Sequence, residues 1–91
     1  MIFMTTYKLK PFLTNDQRRK LLDVFGKAGV PAGTTAHYVA ADGSLGVVLV
    51  EADDAEEAYA NIQNYLEWVE YDSKVMLTIE QALPHITAAL G

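Results

Sequence analysis

The chain has no cysteine. That one absence excludes a disulfide framework, a thiolate metal site and a cysteine nucleophile. Long apolar runs are also missing: Val47 to Val50 is typical, far short of the ~20 residues a membrane helix needs. The first ten residues, MIFMTTYKLK, place no basic segment ahead of their apolar ones, so no signal peptide is expected. These absences predict a soluble, cytoplasmic protein without a membrane partner. Positive charge is scarce as well. The net charge is −5, which argues against nucleic acid as a partner, because Lys and Arg on phosphates supply most of that affinity. No glycine-rich phosphate loop, serine elbow or nucleotide fingerprint occurs. Neither a cofactor nor a metal is expected.

The charge that is present is unevenly spread. Residues 1–41 carry six basic and two acidic side chains, whereas residues 42–91 carry one basic and ten acidic. Either neighbouring elements balance one another, or the first half presents a basic docking surface. Ninety-one residues make a single domain spanning 1–91. A chain of this size buries only about 60% of its unfolded surface. Yet 51% of its residues are hydrophobic, slightly above the usual share. Apolar surface that one small core cannot hide is commonly hidden in a dimer.

Ile2 to Lys10 reads as a strand of β-branched and aromatic residues that stops at Lys-Pro. Phe3, Thr5, Tyr7 and Leu9 fall on one of its faces, with Ile2, Met4 and Thr6 on the other. Thr14-Asn15-Asp16-Gln17 is a capping box. The helix it opens has Leu21, Leu22, Phe25 and Ala28 along one face and ends at Gly29 before Val30-Pro31. Gly26 inside that helix costs about 1 kcal/mol relative to Ala, a cost that close packing on the sheet would explain. Thr34 to Ala41 and Leu45 to Ala52 form a hairpin about Asp42-Gly43. Along the second of these strands both alternating sets of residues are apolar, as in a central strand covered on both sides. One layer of helices covers one face, so the other calls for a second cover.

Asp53, with Glu56 three residues on, is expected to cap a long second helix. Its apolar stripe runs through Ala55, Ala58, Tyr59, Ile62, Tyr65, Leu66 and Val69, with Trp68 off the stripe at the helix end. Tyr71 to Ile79 is the fourth strand, and a short tail follows with a helical turn or two after Pro84. The order is strand, helix, strand, strand, helix, strand. This is the α+β, ferredoxin-like βαββαβ arrangement, a four-stranded antiparallel sheet with two helices on one face.

Candidate chemistry is sparse. His37 can act as an acid or base near neutrality, or it is simply a surface or interface histidine on an edge strand. His85 sits in the tail. Forty-eight positions separate the two histidines, so spacing alone makes no metal site of them. Helix capping accounts for Asp53 and Asp54. Glu51 shares the face of Val47 and Leu49; enclosed there, its carboxyl would titrate high and serve as an acid or base, and in solvent it would do neither. Tyr7, His37 and Glu51 are therefore the candidate catalytic groups. Thr5, Tyr7, His37, Trp68 and Tyr71 are the candidate ligand-binding residues, able to line a cavity or to form the core of a subunit interface. An RNA-recognition module would need a basic, aromatic third strand, and Leu45-Gly46-Val47-Val48-Leu49-Val50 is neither.

The opening MIFMTTYKL, the turn Asp42-Gly43-Ser44, the run from Gly46 to Asp54 and the segment from Trp68 to Glu80 together resemble the dimeric α/β-barrel superfamily. In particular they resemble one of its short, stand-alone families of unknown function. The resemblance implies a homodimer in which two ferredoxin-like subunits pair their sheets face to face, with the helices outside. Relatives in that superfamily include cofactor-free monooxygenases, muconolactone isomerases and proteins of no known activity. Three expectations follow. The first is an uncharacterised dimeric α/β barrel that binds a small apolar or aromatic ligand. The second is a cofactor-free monooxygenase or isomerase acting on a cyclic substrate. The third is a structural or regulatory interaction module.

Overall fold

In the computed structural model, which describes residues 1–91, β1 (Ile2–Leu9) runs through the interior of a four-stranded sheet. Its partners are β3 (Gly46–Glu51) on one side and β4 (Val69–Met76) on the other, both antiparallel. β2 (Thr34–Val39) is the edge strand beyond β3, giving the order β2-β3-β1-β4. This is the expected α+β, ferredoxin-like arrangement. Three helices accompany the sheet, and none is long and apolar enough to cross a membrane.

Local chemistry explains most of the element boundaries. Thr14 caps α1 (Asn15–Ala28): its side chain accepts from the Gln17 amide, and Gln17 reaches back to the Thr14 amide at 2.8 Å. Gly29, at φ 68°, ends the helix with its amide donating to the Phe25 carbonyl. In the hairpin, Asp42 Oδ1 accepts from the Ser44 amide at 3.0 Å, and Gly43 takes φ 76°. Gly26, by contrast, is not a packing requirement. A Cβ added there would meet nothing within 4 Å.

The second half of the chain departs further from the sequence reading. Asp54, not Asp53, is the cap of α2, accepting from the Glu57 amide at 2.8 Å. The helix is short, Ala55–Ile62, and a 3₁₀ turn at Gln63–Tyr65 follows. Tyr65, Trp68 and Val69 then pack into one buried cluster. Val69 is already in the sheet, opposite Leu9. The apolar stripe predicted to continue the helix is thus used to turn the chain back, and burial overrides the helical period. Tyr59, counted in that stripe, is 65% exposed. β4 accordingly begins two residues before Tyr71. Beyond it, Thr78 and Gln81 form a second capping box, opening α3 (Ile79–Ala89) well ahead of Pro84, which lies inside the helix. None of the residues of α3 is buried.

The register sorts the strands into two faces. Phe3, Thr5, Tyr7 and Leu9 share a face with Val48 and Val50 of β3 and with Val69, Tyr71 and Ser73 of β4. Phe3, Thr5, Val50 and Val69 are buried there beneath α1 and α2. The opposite face carries Met4, Thr6, Val47, Leu49, Ala36 and Tyr38, with Lys8–Glu70 and Lys74–Asp72 ion pairs towards β4. Eight of 91 residues are buried in all, so the core of one chain is as thin as its length implies.

Candidate functional site

The helices do not close down on the sheet. Between them lies a cavity of about 340 Å³, and 15 of its 20 lining residues are hydrophobic. Its floor is the helix-facing side of β1, β3 and β4, its roof is Leu21, Leu22 and Phe25 of α1 with Ala58 and Ile62 of α2, and β2 forms one wall. No aspartate, glutamate, lysine or arginine lines it. The volume is at the lower end of the range for small-molecule sites. Leu22 and Val39, 68% and 70% exposed, line it from α1 and from the edge strand and make its entrance apolar.

Polar groups gather on one side of this space. Tyr7 Oη lies 2.7 Å from His37 Nε2, and the two rings meet edge to face at 5.7 Å. Phe25 also meets the imidazole edge to face, at 6.5 Å. Tyr71 stands 6.2 Å from the Tyr7 ring. Burial pushes both phenols above the ordinary tyrosine value, Tyr71 the further of the two because Tyr65 and Tyr7 add to its desolvation. Both therefore stay neutral throughout the physiological range. Thr5 and Tyr65 are already engaged, Thr5 with Ser73 at 2.8 Å and Tyr65 Oη donating to the Gly29 carbonyl at 3.3 Å. The free chemistry of the cavity is thus two neutral phenols and one imidazole, with the Asn61 amide of α2 also in the wall, in an uncharged and mostly apolar surround.

Of the residues singled out by sequence, Thr5, Tyr7, His37 and Tyr71 line the cavity. Trp68 does not. It is 7% exposed inside the Tyr65–Val69 cluster, where its indole N–H has no partner. Glu51 lies on the opposite face of the sheet, paired with Ile2 and exposed to solvent. Tyr7 and His37 are brought together, and Glu51 is far from both in register.

One residue of the site escaped the sequence reading. Gly46 faces Tyr7 across the β1–β3 ladder, and a Cβ placed on it would overlap the Tyr7 ring and hydroxyl. A lone glycine in an otherwise apolar strand is the available signal for such a close approach. No group of three or more His, Asp or Glu side chains is placed to hold a metal ion. Residues 1–90 match the family described as Domain of unknown function (DUF3303), and the chain belongs to that family. No curated protein matches the chain.

Proposed function

We propose that this DUF3303 chain is a cytoplasmic homodimer of the dimeric α/β-barrel kind, each subunit of which binds a small, uncharged, ring-bearing ligand between its sheet and its helices. The observation that carries the ligand is the cavity itself. A 340 Å³ space in a chain with so thin a core is a large loss of packing, since protein interiors normally fill to crystal-like density. With no charged group in its wall, it suits a ligand that is mostly apolar. Tyr7, His37 and Tyr71 on one side suit a single oxygen function on the ring.

The dimer is supported by the open face of the sheet. Met4, Ala36, Val47 and Leu49 are only half-buried there, on the side of the sheet turned away from the α1 and α2 residues that roof the cavity. Phe12 adds to this, fully exposed and held at φ 66°, a conformation that costs a bulky residue about 1 kcal/mol or more. A large apolar side chain kept in that state suits a contact with a second subunit.

Calorimetric titration with 2-naphthol tests the ligand reading. One molecule bound per chain is expected, with affinity falling at least about tenfold when Val48→Trp fills the cavity from its floor, because an overpacked site has no volume left for the ring. Undetectable binding to the wild-type chain, or undiminished binding to the variant, would remove the proposal. A second reading, a cofactor-free enzyme on a cyclic substrate, is favoured by one observation alone, the 2.7 Å contact between Tyr7 and His37.

A further inference from the structure

The Tyr7–His37 contact makes a structural demand that ligand binding by itself does not. Tyr7 belongs to β1 and His37 to the edge strand β2, with β3 lying between them. At roughly 4.8 Å per strand, the phenol has to lean over the full width of β3 to reach the imidazole. It does so directly above Gly46, the only residue type that leaves room for it there. Glycine weakens a strand interior, and here the weakness falls under the one side chain that needs the space.

The geometry points to a proton-transfer pair, in which Tyr7 and His37 accept the proton of an acidic hydroxyl, an enol or an activated phenol, on the bound ring, with Gly46 as the positioning residue. The inference rests on the binding reading above and names the class of ligand more narrowly. In the step, the ligand hydroxyl donates to Tyr7 Oη. Its O–H bond breaks as a new O–H bond forms on Tyr7, and the proton Tyr7 already held passes to His37 Nε2. The products are a ligand oxyanion, a neutral tyrosine and an imidazolium. No electrons change hands and no co-reactant is consumed.

Three features favour this direction. Tyr7 is held neutral by burial, so it relays a proton instead of repelling an oxyanion. His37 is exposed at the rim, where water stabilises the cation that forms, while the ligand ring stays in the apolar space. The groups facing the pair add no competing charge: Phe25 from α1 and Tyr71 from β4, with no carboxylate or cation from α2 in the cavity wall. A simple phenol is a far weaker acid than an imidazolium, too weak for net transfer. Hydroxyls acidified by a conjugated carbonyl or nitro group are close enough. The pair therefore selects enolised 1,3-dicarbonyl rings, hydroxyquinone-like compounds and electron-poor phenols over plain aromatic alcohols.

The test is a spectroscopic pH titration of 4-nitrophenol, which ionises near neutrality and colours only as the oxyanion, with and without saturating protein. In the wild-type chain the ionisation midpoint of the bound dye is expected to fall by about one pH unit, a tenfold gain in acidity. Tyr7→Phe and His37→Gln, near-isosteric and at a half-buried and an exposed site respectively, should bind the dye more weakly and, at saturating protein, lose the shift. Gly46→Ala should lose it with both partners present, circular dichroism reporting whether the sheet persists. A bound dye that titrates like the free one, or a shift that survives Tyr7→Phe and His37→Gln, would overturn the inference and leave the binding reading standing. No binding by any of the proteins would overturn both.

Discussion

The two faces of one small sheet have opposite designs. The face under α1 and α2 buries Phe3, Thr5, Val50 and Val69 and keeps above them a 340 Å³ space with no formal charge in its wall. The other face has an apolar region, from Met4, Ala36, Val47 and Leu49, bordered towards β4 by the ion pairs Lys8–Glu70 and Lys74–Asp72. An apolar centre with a charged border is the anatomy of a protein interface. An apolar recess with a few convergent polar atoms is that of a small-molecule site. The third strand serves both. Val48 and Val50 look into the cavity while Val47 and Leu49 look the other way, so a strand apolar on both sides need not be buried twice within a single chain.

Each face can be perturbed on its own. The largest effect is expected from Leu49→Glu, which sets a charge in the middle of the open face. Burying an unpaired charge costs about 3–5 kcal/mol, so sedimentation should show dimer association weakened by more than about a hundredfold, with 2-naphthol binding retained by the folded chain. Loss of ligand binding without loss of the dimer would invert the assignment of the two faces. Gly46→Ala acts on the cavity side alone. Forcing a methyl group into the space held by the Tyr7 ring should lower stability by about 1–3 kcal/mol in denaturant unfolding, with association unchanged. Gly26→Ala is the smallest perturbation and touches neither face. Its Cβ meets open space, so the helix-propensity gain of about 1 kcal/mol should appear undiminished as added stability. A destabilised Gly26→Ala protein would mean that something packs against this part of α1 in the assembled state.

What the sequence disclosed of this molecule is local, and what it concealed is tertiary. The capping box at Thr14, the Asp42-Gly43 turn and the strand alternation of Gly46–Glu51 are each decided within a few residues, and the strand order follows from connecting them. The end of α2 is decided elsewhere. Tyr65, Trp68 and Val69 have to reach one cluster, with Val69 already paired to Leu9, and no helical period contains that demand. The start of α3 was legible from Thr78 and Gln81 but was masked by Pro84, which ordinarily stands at a helix start. At the site, Tyr7, His37, Thr5 and Tyr71 stood out as polar or aromatic residues in strands. That Tyr7 meets His37 depends on a register spanning three strands and on the missing side chain at Gly46. Glu51 drew attention as an unexplained carboxylate, and the same register places it on the open face.

The central claim is that the helix-covered face, and not the open one, is where a ring-bearing ligand sits. Backbone amide chemical-shift mapping during a 2-naphthol titration tests it most directly. Amides of Thr5, Tyr7, Phe25, His37, Val48 and Tyr71 are expected to move together and saturate at one ligand per chain, with Glu51 and α3 unmoved. Shifts centred on Met4, Val47, Leu49 and Tyr38, or none at saturating ligand, would contradict it.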